Sequence, residues 1–406
     1  MCEGIRKKPC LRYITTNDKE DIMTTSVDHL PEELIPEILQ KLPAKFLIQL
    51  KSVCKLWFHQ VTNHDFVRAQ LQQNSDDQVI IIERICVNPH KHDYYCIQLV
   101  QEVKDMQEEK QFKIYCKIKE FFKEQGGDDI LLRDSCDGLI LLQSKRDGNQ
   151  FYVCNPLTRH CTKLPLLETS CCIFYLTLVL DESFDQTTTY KVVAICQDSL
   201  KCFVLKAGKP SEWKEFNTGY KNSVILSSHS LTLVNKEYHW LRLQDNGKTC
   251  CEPYLYSMNA GTEEIRFRET KISSEITCKH DHNSILEIKG SLCLTDSISN
   301  FNQIDIWTLH DKDKYNCTWT KNYTIVLDSL FKNPTHVYSF PQSYQQRTVI
   351  LIQYKNRLLF YDLEKKDSRN FDFPSKDFGE VDIPSNNKKF FTNCQFVHLD
   401  SLANWE

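Results

Sequence analysis

The first strongly patterned stretch of the chain, LPEELIPEILQKLP, places apolar residues at helical spacing between two Leu-Pro pairs. Leu34, Ile38 and Leu42 fall on one row of such a helix, and Ile35, Leu39 and Leu42 fall on the next. This spacing predicts a short helix with a wide apolar stripe. Because so short a helix is marginal in water by itself, other residues must cover the stripe.

The residues that follow continue the helical pattern. The stretch AKFLIQLKSVCKLWFHQVTN places Leu50, Val53, Trp57 and Val61 on one helix face, and HDFVRAQL adds a last turn or two. These segments predict a module of three or four short helices over residues 27–73. A module of this size supports its own core poorly, and it carries apolar residues on more than one helix face. Such surplus apolar surface indicates a partner.

From about Gln78 the pattern changes to short segments rich in Val, Ile, Tyr, Phe and Thr, separated by turn dipeptides such as Asp137-Gly138. The segments recur in about six units with a period near the ~40–50 residues of propeller blades. Residues 74–406 are therefore predicted to form a large all-β domain, a degenerate six-bladed β-propeller, with a β-sandwich or an irregular β domain as the alternative.

Two segments of the β-rich body carry more specific predictions. The stretch FTNCQFVHLDSL near the C-terminus is predicted to supply a strand that completes the first blade, so that ring closure leaves no long exposed sheet edge. The stretch FKIYCKIKEFFKEQGG has a less β-like pattern and is predicted to be a loop with a helical turn.

Composition and charge narrow the class of protein. The apolar fraction of 41% supports a folded core, and no stretch has the ~18 uninterrupted apolar residues of a membrane span. Residues 1–26 lack the apolar centre of a secretory signal and are predicted to form a disordered tail. The formal net charge of −4 argues against nucleic acid as the main partner. We expect no membrane partner and a cytoplasmic or nuclear location.

Cysteine is abundant, and one group of side chains suggests a metal site. The 19 cysteines are scattered and odd in number, so we expect small buried hydrophobes in a reducing compartment and no disulfides. Cys86, His90, His92 and Cys96 in CVNPHKHDYYC are residue types that bind zinc. Their spacing differs from that of most structural zinc sites, and the flanking stretches predict a β-hairpin. We therefore predict no metal and no cofactor.

The helical module, taken as a whole, resembles an F-box. The resemblance rests on Leu-Pro, a helix, Leu-Pro, Val-Cys-Lys-x-Trp and Asp-Phe, in that order. The body resembles the F-box-associated domain of plant proteins, because CDGLILL…FYVCNPLTRHCTKLP, YKVVAI, EWKEF, EYHWL and GSLCL…IDIWTL…WTKNYTI occur in that family's order. The resemblance implies a kelch- or galactose-oxidase-like propeller. The kelch variety of F-box protein fits less well, because kelch blades need Gly-Gly doublets. The sequence has only one, Gly126-Gly127, in a polar loop.

The resemblance also implies a function. Such proteins are substrate-recognition subunits of SCF-type (Skp–cullin–F-box) E3 ubiquitin ligases. Their F-box docks on a Skp-type adaptor, which links it to a cullin and a RING subunit, while the body holds a target protein for ubiquitination and proteasomal degradation. Carried over by position, the adaptor-binding residues are Leu30, Pro31, Ile35, Ile38, Leu39, Leu42, Pro43, Leu50, Val53, Cys54 and Trp57. Some of these must also pack the module itself.

This function requires no catalytic residue, and we predict that the chain is not an enzyme. It contains no GxSxG, P-loop or GxGxxG motif. Two alternatives stay open. One is a sugar-binding F-box receptor, in which some of the six tryptophans form a stacking platform. The other is a propeller glycosidase with paired carboxylates, although Gly138 directly after Asp137 indicates a tight turn rather than a sialidase Asp-box.

Overall fold

Four short helices precede a long all-β body in the computed structural model of the chain. The residues that the structure describes are 31, 33–73, 78–87, 94–104, 110–117, 130–170, 173–181, 189–196, 201–208, 211–217, 225–226, 232–235, 237–244, 252–259, 267–271, 284–296, 302–311, 317–327, 336–339, 348–354, 357–372, 389–399, 402–403 and 405. The predicted tail over residues 1–26 lies outside them. None of the described helices is long and apolar enough to cross a membrane.

The helical module contains α1 (Leu34–Gln40), α2 (Ala44–Leu50), α3 (Lys55–Thr62) and α4 (His64–Gln73). Pro36 lies in the first turn of α1, where a backbone N–H has no intrahelical partner to lose. Pro43 is extended, with ψ at 144°, so it separates α1 from α2. The Asn63 side chain accepts hydrogen bonds from the backbone N–H groups of Asp65 and Phe66, at 2.8 and 3.2 Å, and caps α4.

The β body contains 25 described strands. The first seven are β1 (Gln78–Val87), β2 (Tyr94–Lys104), β3 (Lys110–Lys117), β4 (Ile130–Cys136), β5 (Leu139–Ser144), β6 (Phe151–Asn155) and β7 (His160–Lys163). The next nine are β8 (Ile173–Asp181), β9 (Thr189–Cys196), β10 (Lys201–Lys206), β11 (Lys214–Asn217), β12 (Ile225–Leu226), β13 (Thr232–Val234), β14 (Glu237–Gln244), β15 (Glu252–Asn259) and β16 (Phe267–Lys271). The last nine are β17 (Ile285–Ile288), β18 (Ser291–Asp296), β19 (Gln303–Asp311), β20 (Cys317–Val326), β21 (His336–Ser339), β22 (Val349–Tyr354), β23 (Arg357–Asp362), β24 (Asp367–Asp372) and β25 (Lys389–Leu399).

These strands form six antiparallel sheets, which are the blades of a propeller. Blade 1 has the order β25-β1-β2-β3, and blades 2 and 3 contain β4–β7 and β8–β11. Blade 4 contains β12–β16, with β12 and β13 both paired to β14, and blades 5 and 6 contain β17–β20 and β21–β24. The predicted propeller is confirmed.

The C-terminal strand joins the first blade. Along β25 the register pairs Leu399 with Gln78 and Lys389 with Val87, so the two ends of the β body meet in one sheet. The predicted strand in FTNCQFVHLDSL is confirmed. The loop predicted for FKIYCKIKEFFKEQGG is wrong over its first six residues, which belong to β3 and pair with β2. Pairing with a neighbouring strand outweighs a weak local preference there.

Adjacent blades share buried side chains. Val193 and Cys202 of blade 3 pack in one cluster with Tyr238, Trp240 and Tyr256 of blade 4. The rings of Trp240 and Tyr256 stack with their centroids 5.8 Å apart. The core of the propeller therefore lies between blades as well as within them, as expected when each sheet is too small to bury its own faces.

A buried carboxylate also connects blade 2 to blade 3. Asp134 on β4 accepts hydrogen bonds from the Thr177 hydroxyl and from the backbone N–H of Leu178, at 2.9 Å for Leu178, both on β8. Burial raises the pKa of Asp134 to about 6, although the hydrogen bonds from Thr177, Leu178 and Ser135 favour the charged form. The charged form of Asp134 is thus poorly solvated at neutral pH.

This raised pKa makes stability depend on pH in a defined direction. Because folded Asp134 binds its proton more tightly than the unfolded chain, its contribution to the free energy of unfolding is present at low pH and is lost as the pH rises through about 6. We expect Asp134→Asn to remove that trend. The free energy of unfolding of wild type, relative to that of the variant, should therefore fall by about 2–3 kcal/mol between pH 4 and pH 7. Denaturant unfolding of both proteins at pH 4 and pH 7 measures this change. The same stability difference between wild type and variant at the two pH values would contradict the prediction.

Candidate functional site

Exposed apolar side chains concentrate in the helical module. Eight large apolar residues are exposed among those that the structure describes, and only Leu166 and Val326 belong to the propeller. The other six, which we call the exposed apolar set, are Leu34, Ile38, Phe46, Val53, Leu56 and Phe58. Six such residues in so short a stretch are unusual for a surface that only meets water. The exposed apolar set is therefore the candidate functional site.

The two apolar rows of α1 have different environments. Leu34 and Ile38 are each 43% exposed, whereas Ile35 and Leu39 are buried, with Leu39 only 1% exposed. Leu34 and Ile38 are four residues apart and so lie next to each other on the outer side of α1. One row of the stripe thus packs the core of this chain, and the other row faces outward.

The predicted adaptor-binding residues divide in the same way. Leu30 lies outside the described residues. The exposed ones are Pro31, Ile38, Val53 and Cys54; the half-buried ones are Leu42, Pro43, Leu50 and Trp57; the buried ones are Ile35 and Leu39. Ile35 and Leu39 are covered within the chain, so they are among the predicted residues that also pack the module itself.

Four members of the exposed apolar set were not among the predicted adaptor-binding residues: Leu34, Phe46, Leu56 and Phe58. Leu56 and Phe58 flank Trp57, which is half-buried against the core. Successive residues of a helix point about 100° apart, so an inward Trp57 directs both neighbours away from the core. The predicted inward position of Trp57 was therefore the signal that could have identified Leu56 and Phe58 as outward-facing.

Basic side chains accompany the exposed apolar set. Lys41, Lys45 and Lys55 are exposed, and Lys51 is half-buried, in the stretch from the end of α1 to the start of α3. Burial lowers the pKa of the Lys51 ammonium. This part of the module therefore combines apolar contact area with positive charge, which suits a partner surface that is apolar with acidic residues around it.

The opposite side of the module packs against the propeller. Ile35, Leu39 and Phe66 belong to one continuous buried cluster with residues of blades 2 and 3 and with Leu402 and Trp405 near the C-terminus. The module is therefore anchored by its inner side, which leaves the exposed apolar set outside this shared core.

Polar contacts support the same junction. The Asn155 side chain of β6 donates a hydrogen bond to the backbone carbonyl of Ala403, at 2.8 Å. Burial raises the pKa of Tyr190 well above its ordinary value, Asp137 raises it further, and Arg68 of α4 acts in the opposite direction. Arg68 therefore lies close enough to β9 to act electrostatically on Tyr190 across the junction.

No tryptophan is largely exposed. All six lie among the described residues, and each is buried or half-buried. Trp213, for example, packs edge-on against Phe151, with ring centroids 5.8 Å apart, and donates its indole N–H to the carbonyl of Pro165 at 2.8 Å. A sugar-stacking platform needs an accessible ring face, so these residues give the lectin alternative no support.

Buried carboxylates have structural partners. Burial alone would raise the pKa of Asp305, but hydrogen bonds from Gln303, Thr324 and Lys321 hold it below its ordinary value. Glu287 accepts a hydrogen bond from the backbone N–H of Gly290 at 2.6 Å. These contacts explain both carboxylates as parts of blade 5, without a glycosidase pair.

The structure changes the prediction for the cysteines. Cys154 and Cys161 form a disulfide between β6 and β7, so the expectation of no disulfides is wrong here. Cys196, Cys202 and Cys293 are buried thiols, as predicted. Burial raises the pKa of Cys202 to about 12 and that of Cys293 to about 11, which makes both poor nucleophiles.

The candidate zinc ligands lie on the first hairpin. Cys86 is in β1 and Cys96 is in β2, and the register pairs Cys86 with Tyr94 and Arg84 with Cys96, as the predicted hairpin requires. His90 and His92 lie outside the described residues. Within the described part of the chain, no group of three or more His, Cys, Asp and Glu side chains is placed to hold a metal ion.

We predict that the purified chain carries no stoichiometric zinc at this hairpin. Cys86 and Cys96 already have places in paired strands, whereas a structural zinc site would draw four ligands to about 2.0–2.3 Å from the metal. Elemental analysis of protein purified without chelator measures the metal content. About one zinc per chain, lost in Cys86→Ser with a lower melting temperature, would contradict the prediction.

Comparison with known proteins agrees with this architecture. Residues 27–68 match the model of the F-box domain, and residues 85–397 match the model described as the F-box associated beta propeller domain. The chain is 24% identical to F-box protein CPR1 of Arabidopsis thaliana over 374 residues, which covers 83% of each chain. It is 23% identical to F-box protein At4g19940 of Arabidopsis thaliana, covering 93% of this chain and 92% of the relative. The chain therefore belongs to the F-box proteins that carry an F-box-associated β-propeller domain.

Membership of this family assigns two general roles. An F-box implies binding of a Skp1-type adaptor within an SCF complex, and the F-box together with the propeller supports substrate recognition in general. Proteins of this class are typically non-catalytic adaptor subunits. The resemblance inferred from the sequence motifs is thus confirmed.

Proposed function

We propose that this chain is the substrate receptor of an SCF-type E3 ubiquitin ligase in the cytoplasm or nucleus. Its F-box docks on a Skp-type adaptor that connects to a cullin and a RING subunit, and its propeller holds a protein target for ubiquitination and proteasomal degradation. The observation that carries the proposal is the exposed apolar set, which an F-box would bury against the adaptor.

The proposed docking surface follows from the exposure of individual residues. Ile38 and Val53 supply apolar area, and the neighbouring lysines, such as Lys41 and Lys55, attract acidic residues of the adaptor. Ile35 and Leu39 support this surface from beneath by fixing α1 on the core. Docking then uses a helix whose position the core already fixes, which limits the entropic cost of association.

The proposed mechanism is tethering. An F-box packed on the propeller core carries a bound target together with the adaptor, so target lysines stay near the ubiquitin donor at high effective concentration. Proximity of this kind accelerates transfer without any catalytic residue in the receptor. The thiols of Cys202 and Cys293, which burial holds protonated, fit a chain that takes no covalent part in the transfer.

Affinity capture tests the proposal. The tagged full-length chain should retain a Skp-type adaptor, a cullin and a RING subunit, together with proteins whose amounts increase when the proteasome is blocked. Mass spectrometry of the captured material identifies both groups. Capture of other proteins without the adaptor and the cullin would contradict a ligase role.

A further inference from the structure

The disulfide between β6 and β7 joins two residues with unequal exposure. Cys154 and Cys161 stand directly opposite each other in the strand register, with their Cα atoms 4.0 Å apart. Cys154 is fully buried, whereas Cys161 is only partly buried. When the bond is open, dissolved thiols and disulfides therefore reach Cys161 before Cys154.

The bond closes a loop that other contacts already close. Cys154 and Cys161 are only seven positions apart, and the register also pairs Asn155 with His160. The Asn155 side chain accepts hydrogen bonds from the backbone N–H groups of Leu157 and Thr158, at 2.9 and 3.0 Å, which fixes the turn. Because cross-links of short loops constrain the unfolded chain least, this disulfide contributes less as a permanent staple than a cross-link across a long loop would.

A basic residue lies near Cys161 on the same strand. Lys163 is exposed and lies two residues further along β7, so both side chains lie on the same side of the strand. A nearby ammonium group stabilises a thiolate, which is the species that attacks disulfides. A partly exposed thiol next to a lysine, opposite a buried resolving thiol, is the arrangement that thiol–disulfide exchange needs.

We propose that Cys154 and Cys161 form a reversible thiol–disulfide pair that exchanges with a small-molecule disulfide such as oxidised glutathione. The Cys161 thiolate attacks one sulfur of oxidised glutathione, forming a mixed disulfide and releasing one glutathione thiolate. Cys154 then attacks the Cys161 sulfur, and its proton passes to the departing glutathione sulfur, which releases the second glutathione. Two protein thiols are oxidised, and one glutathione disulfide is reduced to two glutathione molecules.

The position of the pair gives the exchange a structural consequence. Asn155, next to Cys154, holds the carbonyl of Ala403, and Leu402, Ala403 and Trp405 pack in the buried cluster that includes the F-box core. Closing or opening the disulfide therefore changes the covalent constraint on the hairpin that holds this C-terminal segment. The proposal does not depend on the ligase role, because it concerns the chemistry of the hairpin alone.

Peptide mapping tests the exchange directly. Trypsin cuts after Arg159, so Cys154 and Cys161 fall on separate peptides, residues 147–159 and 160–163, which stay joined only by the disulfide. The full chain is equilibrated with mixtures of reduced and oxidised glutathione, quenched with an alkylating agent and digested. We expect the joined fraction to rise at least about fivefold from a reduced to an oxidised mixture, and to fall again on return to reduced glutathione.

Cys196 and Cys202 provide a matched control. Both are buried thiols of blade 3 that form no disulfide, and trypsin separates them in the same way, onto residues 192–201 and 202–206. They should stay unlinked in every mixture. Cys161→Ser should abolish the joined peptide, whereas Cys154→Ser should leave Cys161 as a mixed disulfide with glutathione.

Two outcomes would overturn the proposal. In the first, both cysteines are alkylated in every mixture, so no pair forms. In the second, the joined peptide persists in excess reduced glutathione, so the bond is a permanent staple and not an exchanging one.

Discussion

Val53→Asp is expected to weaken binding of a Skp-type adaptor by at least about 100-fold, because docking would bury a charged carboxylate in place of a valine. Val53 is 51% exposed in the free chain, so the substitution costs little folding stability. Titration calorimetry with a purified adaptor measures the dissociation constant. Ile38→Asp, on the outer side of α1, should have a similar effect.

The control for this experiment is Val326→Asp. Val326 is 73% exposed at the end of β20, in the propeller, and it undergoes the same change of side chain. Adaptor affinity should stay within about twofold of wild type, because this residue lies outside the F-box. Equal loss of affinity in both variants would mean that surface charge, and not the exposed apolar set, determines binding.

Leu39→Ala is expected to lower the free energy of unfolding of the F-box by about 2–5 kcal/mol, since it leaves a cavity in a fully packed core. Leu39 is 1% exposed and belongs to the cluster that the F-box shares with the propeller. Denaturant unfolding of the full chain, followed by helical circular dichroism, measures the loss. A charge at Leu39 would likewise report on folding and not on docking.

Leu34→Ala is the matched comparison, because it makes the same substitution on the same helix. Leu34 is 43% exposed, so we expect its loss to cost less than about 1 kcal/mol. Adaptor affinity should show the opposite ranking. Relative to the stability that each variant loses, Leu34→Ala should weaken adaptor binding more than Leu39→Ala. Equal destabilisation by the two substitutions would contradict the division of α1 into an inner and an outer row.

The spacing of apolar residues predicted α1 and its two rows, but not which row faces the core. Both rows are equally apolar, and an apolar stripe this wide has no unique inward side. The choice depends on the propeller and the C-terminal segment, which pack against Ile35 and Leu39 in the same cluster. Contacts between residues so far apart in sequence leave no trace in local periodicity.

In the β body, local sequence likewise predicted strands but not which residues pair across them. The closing strand β25 was predictable because its segment contains Phe, Thr and Val, which favour strands, and because its position after the last repeat suits a ring. The disulfide was not expected, although a signal was present: Cys154 and Cys161 flank the turn dipeptide Asn155-Pro156. Only the strand register decides whether two such residues stand opposite each other or one position apart.

The most direct test of the central claim is ubiquitin transfer in a reconstituted reaction. Wild-type chain and Val53→Asp are each loaded with the captured target, then mixed with the adaptor, cullin, RING subunit and a ubiquitin-charged conjugating enzyme, and conjugates on the target are quantified. The account predicts that Val53→Asp retains the target but yields at least about tenfold fewer conjugates, because tethering through the F-box is lost. Equal conjugation of the target by both proteins would contradict the claim that this chain acts as a receptor through its F-box.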